Sequence, residues 1–132
     1  MVIFIGISTN DNESFLNKIA SKVSKLRIFN DEFGKMNKDI NDINGEILLV
    51  SQFTLYAETK KGNRPSFIKA AKPENAIKIY NSFIKELQTY TKTKIKTGKF
   101  GADMKINLTN DGPVTIILEN NKNGNKKFTV KS

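Results

Sequence analysis

Apolar positions recur along this chain at two periods, one suited to strands and one to helices. Val2 to Ile7 is β-branched and aromatic, and Gly6 with the polar residues after it closes a short buried strand. Asn10 and Glu13 stand at capping-box spacing and signal a helix start. Phe15, Leu16, Ile19, Val23 and Leu26 then follow the helical period, which predicts an amphipathic helix over 12–26 with its lysines outward.

Arg27-Ile28-Phe29 reads as a short strand, Asn30 to Gly34 as a turn, and Met36 as the start of a return. Asn44-Gly45 is a turn signal before a central strand over 46–56, whose apolar run is Ile47-Leu48-Leu49-Val50. Residues 60–65 form a polar loop with Gly62 and Pro65 as breakers. Pro73 suits the first turn of a second helix over 73–90, with Ala76, Ile77, Tyr80, Phe83, Ile84 and Leu87 as its apolar face. Residues 92–99 alternate and are basic, as an exposed edge strand would be. Met104 to Leu108 alternates with period two, then Asn110-Asp111-Gly112-Pro113, then Val114 to Leu118: strand, tight loop, strand. Residues 120–132 read as a frayed basic tail after a domain over 1–119. The order predicts an α+β, mixed α/β fold, with two helices packed on a largely antiparallel, barrel-like sheet.

Composition narrows the chemistry. At 132 residues the chain is one domain that buries roughly two-thirds of its unfolded surface. It has no run of about 18 apolar residues to cross a membrane, and 1–7 is too short for a signal peptide. The expected location is the cytoplasm. There is no cysteine and no histidine. That excludes Ser-His-Asp and Cys-His pairs, histidine acid–base catalysis and nearly every zinc site, so no metal or other cofactor is expected. The net charge of +9, from 22 basic and 13 acidic residues, favours polyanionic partners; a compositional bias towards lysine and asparagine accounts for it equally well.

The candidate chemistry sits at the end of the central strand, in Ser51-Gln52-Phe53-Thr54. On a strand, Ser51 and Phe53 face one way and Gln52 and Thr54 the other. A strand end whose polar groups are satisfied by neighbours explains the same pattern. Gly112-Pro113 is either a plain turn or a fixed backbone that presents the glycine carbonyl to a donor such as an ammonium group. Arg64, in Gly62-Asn63-Arg64-Pro65-Ser66-Phe67, suits phosphate or carboxylate, or a structural ion pair.

Taken together, LVSQFTLYA, GNRPSF, KTGKFGADM and NDGPVT, in this order and after RIFNDEFGKMN at 27–37, resemble the D-aminoacyl-tRNA deacylases. The likeness runs from about residue 2 to 119, and SQFT and GPVT are its most specific parts. It implies a homodimeric hydrolase that removes D-amino acids from tRNA, and glycine mischarged on alanine tRNA. The active sites lie at the dimer interface. Carried over, Ser51, Gln52, Phe53 and Thr54 belong to the catalytic pocket, around the 3′-terminal adenosine and the scissile ester. Gly112-Pro113, with a cis peptide bond, forms a chiral filter that reaches into the partner's site and excludes L-aminoacyl groups. Phe100 and Met104 line the pocket. Backbone N–H groups near Phe53 and Thr54 are candidate oxyanion donors, and Thr54 is read as positioning rather than nucleophilic.

The resemblance also implies a preceding β-hairpin, whose arginine in a Q-R-V-like pattern braces the Gly-Pro motif. The 132 residues hold no counterpart to it, so the chain as written is expected to be weakly active or poorly soluble. Two other readings share the residues: a catalytically inactive RNA-binding relative, and a protein-interaction or replication-associated module on the same fold.

Overall fold

The computed structural model describes residues 1–119 and 128–131. In chain order its elements are strand β1 (Val2–Ile5), a 3-10 turn at Glu13–Phe15 running into helix α1 (Leu16–Ser24), strands β2 (Phe29–Asn30), β3 (Met36–Lys38) and β4 (Ile47–Ser51), a 3-10 helix at Phe53–Tyr56, helix α2 (Pro73–Thr89), and strands β5 (Ile95–Thr97), β6 (Thr115–Leu118) and β7 (Phe128–Lys131). The main sheet is ordered β5-β4-β1-β7-β6, and β2 pairs with β3 in a separate hairpin.

The mixed α/β class and the two helices stand, but the largely antiparallel, barrel-like sheet does not. β1 pairs with β4 in parallel, and so does β4 with β5. Among the described residues of the main sheet, only the β1–β7 and β7–β6 pairings are antiparallel. The cause is connectivity: α1 lies between β1 and β4, and α2 between β4 and β5. A helical crossover returns the chain to the same end of the sheet, which makes the pairing parallel. Among the described residues the sheet stays open, with β5 and β6 at its edges.

The helices cover the sheet face that carries Ile3, Ile5, Ile47 and Leu49, and a single apolar cluster joins these to Leu16, Ile19 and Val23 of α1 and Ile79, Phe83 and Leu87 of α2. Ile3 and Leu49 stand side by side in the β1–β4 register, both 0% exposed. Each such side chain contributes about 1.5–3 kcal/mol when fully buried. On α2 the buried face takes Ile79 rather than the expected Ile77, which is exposed. The first helix is capped by Asn12, whose side chain accepts from the Ser14 N–H, and not by Asn10. The Asp11 carboxylate instead accepts from the Ser8 N–H at 2.8 Å.

Other expectations shift at their edges. β5 lies on the sheet edge as its lysines suggested, and Lys96 pairs with Glu46 at 3.1 Å. Residues 104–108 have no strand pairing, although their alternation survives: Met104 and Ile106 turn inward while Lys105 and Asn107 stay exposed. Phe128–Lys131 pairs with both β1 and β6 instead of continuing a tail. The rest of the expected tail, 120–127 and 132, lies outside the described residues. Among the described residues no helix is long and apolar enough to cross a membrane.

Candidate active site

The parallel strands β1 and β4 end at the same edge, at Ile5 and Ser51. The Gln52 N–H extends their ladder by one bond, donating to the Ile5 carbonyl at 2.8 Å. There the extended backbone stops. The Leu55 N–H donates to the Gln52 carbonyl at 3.2 Å and the Ala57 N–H to the Thr54 carbonyl at 3.0 Å, winding Phe53–Tyr56 into a 3-10 helix. The expected strand over 46–56, with its alternation through Ser51 to Thr54, is therefore cut short. The winding comes with burial of Tyr56 at the end of the 3-10 helix. Crevices beyond the carboxyl ends of parallel strands are the usual ligand sites of open α/β sheets.

Such a crevice is present. A cavity of about 650 Å³ opens at this edge, lined by Ser51, Gln52 and Phe53 on one side and by Phe100, Met104 and Ile106 on another. Its third wall is the entry to α2, Ala70 to Pro73. That wall is held to the end of β1 by the Ala71 N–H, which donates to the Ile7 carbonyl at 2.9 Å. Among the described residues, two charged side chains line the cavity, Lys72 and Asp103, both exposed.

Each wall has its own support. Phe100 packs against the ring of Tyr80, with centroids 5.6 Å apart, and the Tyr80 hydroxyl donates to the Leu49 carbonyl at 3.1 Å. Burial pushes the Tyr80 phenol above its ordinary pKa of 10.0, and a hydrogen bond with Thr97 opposes part of that rise. Met104 lies over Gly98, where an added Cβ would stand 2.6 Å from the Met104 Sδ. At the mouth, Phe53 is 57% exposed and meets the edge of Phe67 at 5.0 Å and 71°.

The sequence-derived residues do not all converge. Ser51, Gln52, Phe53, Phe100 and Met104 share the cavity. Thr54 is exposed outside the lining, and its Oγ1 accepts from Gln52 Nε2 at 2.5 Å. Gly112-Pro113 is cis and does not line the cavity of its own chain. It sits in an exposed loop that Asn110 holds from within. Asn110 Oδ1 accepts from the Val114 N–H at 3.2 Å, and Asn110 Nδ2 donates to Thr115 Oγ1 at 3.1 Å. Gly112 has φ +122°, a region that L side chains rarely adopt, and an added Cβ would stand 3.0 Å from Val114 Cγ2.

Sequence reasoning quoted Asn110, Gly98 and Phe67 inside motifs without giving them roles. Asn110 had a readable signal, because asparagine just before a turn bonds nearby backbone. The approach of Met104 to Gly98 had none.

A family model described as D-Tyr-tRNA(Tyr) deacylase matches residues 1–119. A D-aminoacyl-tRNA deacylase of Flavobacterium psychrophilum is 56% identical over 119 residues, covering 90% of this chain and 79% of the relative. One of Finegoldia magna is also 56% identical, over 118 residues, covering 89% and 79%. Among solved structures, one titled c-Myc DNA Unwinding Element Binding Protein superposes with a TM-score of 0.84 at 44% identity, covering 91% of this chain and 81% of that one. Another, titled as a probable eukaryotic D-amino acid tRNA deacylase, gives a TM-score of 0.64 at 13% identity over 77% and 75%, a likeness of fold alone. With the family match spanning nearly the whole described chain, this protein belongs to the D-Tyr-tRNA(Tyr) deacylase family.

Proposed function

We propose that the chain hydrolyses the ester bond of D-aminoacyl-tRNA, releasing the free D-amino acid and tRNA. The carrying observation is the cavity at the ends of β1 and β4, where Ser51, Gln52 and Phe53 face Phe100 and Met104 in a member of this family. Relatives at 48–56% identity bear the deacylase name, which gives no support to a catalytically inactive RNA-binding relative.

The chemistry suits the residues present. An aminoacyl ester is already activated, so an oriented carbonyl, a placed water and donors for the developing oxyanion suffice. The first N–H groups of a helix lack intrahelical acceptors. In the 3-10 helix these belong to Phe53 and Thr54, next to Gln52, and they are the donors we assign to the oxyanion. One such donor is worth roughly 100- to 1000-fold in rate. A ribose hydroxyl of the RNA beside the ester would orient or activate the water, which suits a chain without histidine or cysteine. The exposed rings of Phe53 and Phe67 offer stacking area for the terminal adenine.

Stereochemical selection is assigned to Gly112-Pro113, acting in the partner's cavity within a homodimer. Its exposed loop, clasped by Asn110 and outside its own chain's cavity, supports that reading. A filter that reads the α-carbon rather than the side chain tolerates many D-amino acids, and also glycine on alanine tRNA. The working location is the cytoplasm, with its charged tRNA. Release of D-tyrosine from D-tyrosyl-tRNA by the purified chain tests the activity, and absence of release at every enzyme concentration would overturn it.

A further inference from the structure

We infer that the loop over residues 59–65 docks the phosphodiester backbone of the RNA whose 3′ end enters the cavity. This rests on the tRNA-ester reading above and names a surface which that reading leaves unassigned.

Between Glu58 and Glu74 the chain carries no acidic residue, but it carries Lys60, Lys61, Arg64, Lys69 and Lys72. Glu58 is already engaged. Lys69 Nζ donates to its carboxylate at 2.9 Å and, with the Lys60 N–H, holds that carboxyl below its ordinary pKa. Lys60, Lys61 and Arg64 remain exposed, and among the described residues none of the three is in an ion pair.

The loop is anchored at both ends. The Glu58 N–H donates to the Ser66 carbonyl at 2.8 Å, and the Ser66 N–H returns to the Glu58 carbonyl at 3.0 Å. This clasp fixes where the cations emerge. The next residue is Phe67, which lines the cavity and meets Phe53 at its mouth. Lys72 continues the positive track along the cavity wall.

An RNA whose last nucleotide rests against those rings must lead its preceding phosphates out across the same rim. Arginine meets phosphate with a planar fork and lysine with a point charge. Such contacts set affinity and register without reading base sequence. They also release counterions, so the contribution depends steeply on salt.

The test compares wild type, K60Q/K61Q/R64Q, and a charge-matched control, K18Q/K22Q/K85Q, whose lysines are exposed on the two helices and do not line the cavity. Two substrates are used, D-tyrosyl-tRNA and the 3′-D-tyrosyl ester of adenosine, between about 50 mM and about 200 mM salt. The loop variant should lose about tenfold in kcat/KM on the tRNA at the lower salt, through KM, with a log–log salt slope shallower by about 2. On the adenosine ester it should match wild type, and the control should match wild type on both. Equal loss by the control, equal loss on the adenosine ester, or no loss on the tRNA would overturn the assignment. Direct binding of uncharged tRNA separates the two readings. If wild type hydrolyses neither ester yet loses salt-dependent binding only in the loop variant, the deacylase reading fails and the docking surface stands. Unchanged tRNA binding by the loop variant would overturn the docking surface. If wild type binds an acidic peptide through this loop and does not bind the tRNA, the surface is a protein-docking site and the inference fails.

Discussion

Gln52 Nε2 donates to Thr54 Oγ1 across 2.5 Å, so the threonine hydroxyl is positioned by a neighbour that, as the donor, cannot take its proton. A nucleophilic role requires a base to take that proton, and the chain has no histidine. The acid in the cavity lining, Asp103, is an exposed residue across from this segment. Thr54→Ala should therefore retain turnover within about tenfold of wild type, about 1.4 kcal/mol of transition-state stabilisation, with Thr54→Ser closer still. Single-turnover rates on D-tyrosyl-tRNA measure this, and retained turnover in Thr54→Ala excludes the nucleophile.

Asn110→Ala removes both side-chain bonds that hold the Gly112-Pro113 loop. Partly exposed hydrogen bonds of this kind are worth about 1 kcal/mol net, so thermal unfolding should shift only modestly. The functional shift should exceed it. Hydrolysis of D-aminoacyl-tRNA should change little, while L-aminoacyl-tRNA becomes a detectable substrate. Asn110→Asp, which keeps the acceptor for the Val114 N–H, should fall between the two. A drop in D-turnover with discrimination intact would contradict the positioning role.

Gly98→Ala places a methyl 2.6 Å from the Met104 sulfur, so the methionine must move. Overpacking costs about 1–3 kcal/mol when the neighbour cannot yield, and an unbranched thioether yields readily. The expected result is a small loss of stability and a raised KM as Met104 shifts within the cavity lining. Adding Met104→Ala should restore stability to the Gly98→Ala protein, as a double-mutant cycle would record.

The Tyr80 phenol, raised by burial, adds an alkaline limit to stability. Folded and unfolded chains both keep the phenolic proton below the ordinary value of 10.0, and there its contribution is complete. Above that value the unfolded chain releases the proton first, so stability falls as pH rises towards the folded-state pKa. Tyr80→Phe should flatten this part of the decline in unfolding temperature between about pH 8 and about pH 11. Near neutrality it should cost only about 0.5–1.5 kcal/mol, because the Leu49 carbonyl still accepts from the Gly98 N–H at 3.0 Å.

Much of the fold was legible because periodicity reports burial. Leu16, Ile19 and Val23, and Phe83 with Leu87, point inward as their spacing required. Sheet direction was not legible from alternation, because the same apolar pattern serves parallel and antiparallel pairing; it depends on which helix crosses over which strand. The fate of Phe53 to Tyr56 was hidden for a related reason. Their aromatic and β-branched character favours a strand locally, and tertiary packing of Tyr56 overrides it. At the cavity, residue types pointed to Ser51, Gln52 and Phe53, which line it, and also to Thr54 and Gly112-Pro113, which do not. The supports from Asn110, Tyr80 and Gly98 depend on contacts between 4 and 31 residues apart or on one close approach, and no local pattern records most of them.

The most direct test of the central claim is the initial rate of amino acid release from D-tyrosyl-tRNA and from L-tyrosyl-tRNA, side by side, by the purified chain and by its Gln52→Ala and Pro113→Ala variants. The account predicts rapid release from the D-ester and none from the L-ester above the uncatalysed rate. Gln52→Ala should slow the D-reaction, and Pro113→Ala should admit the L-ester. Equal rates on the two esters by the unaltered chain, or no release from either, would contradict it.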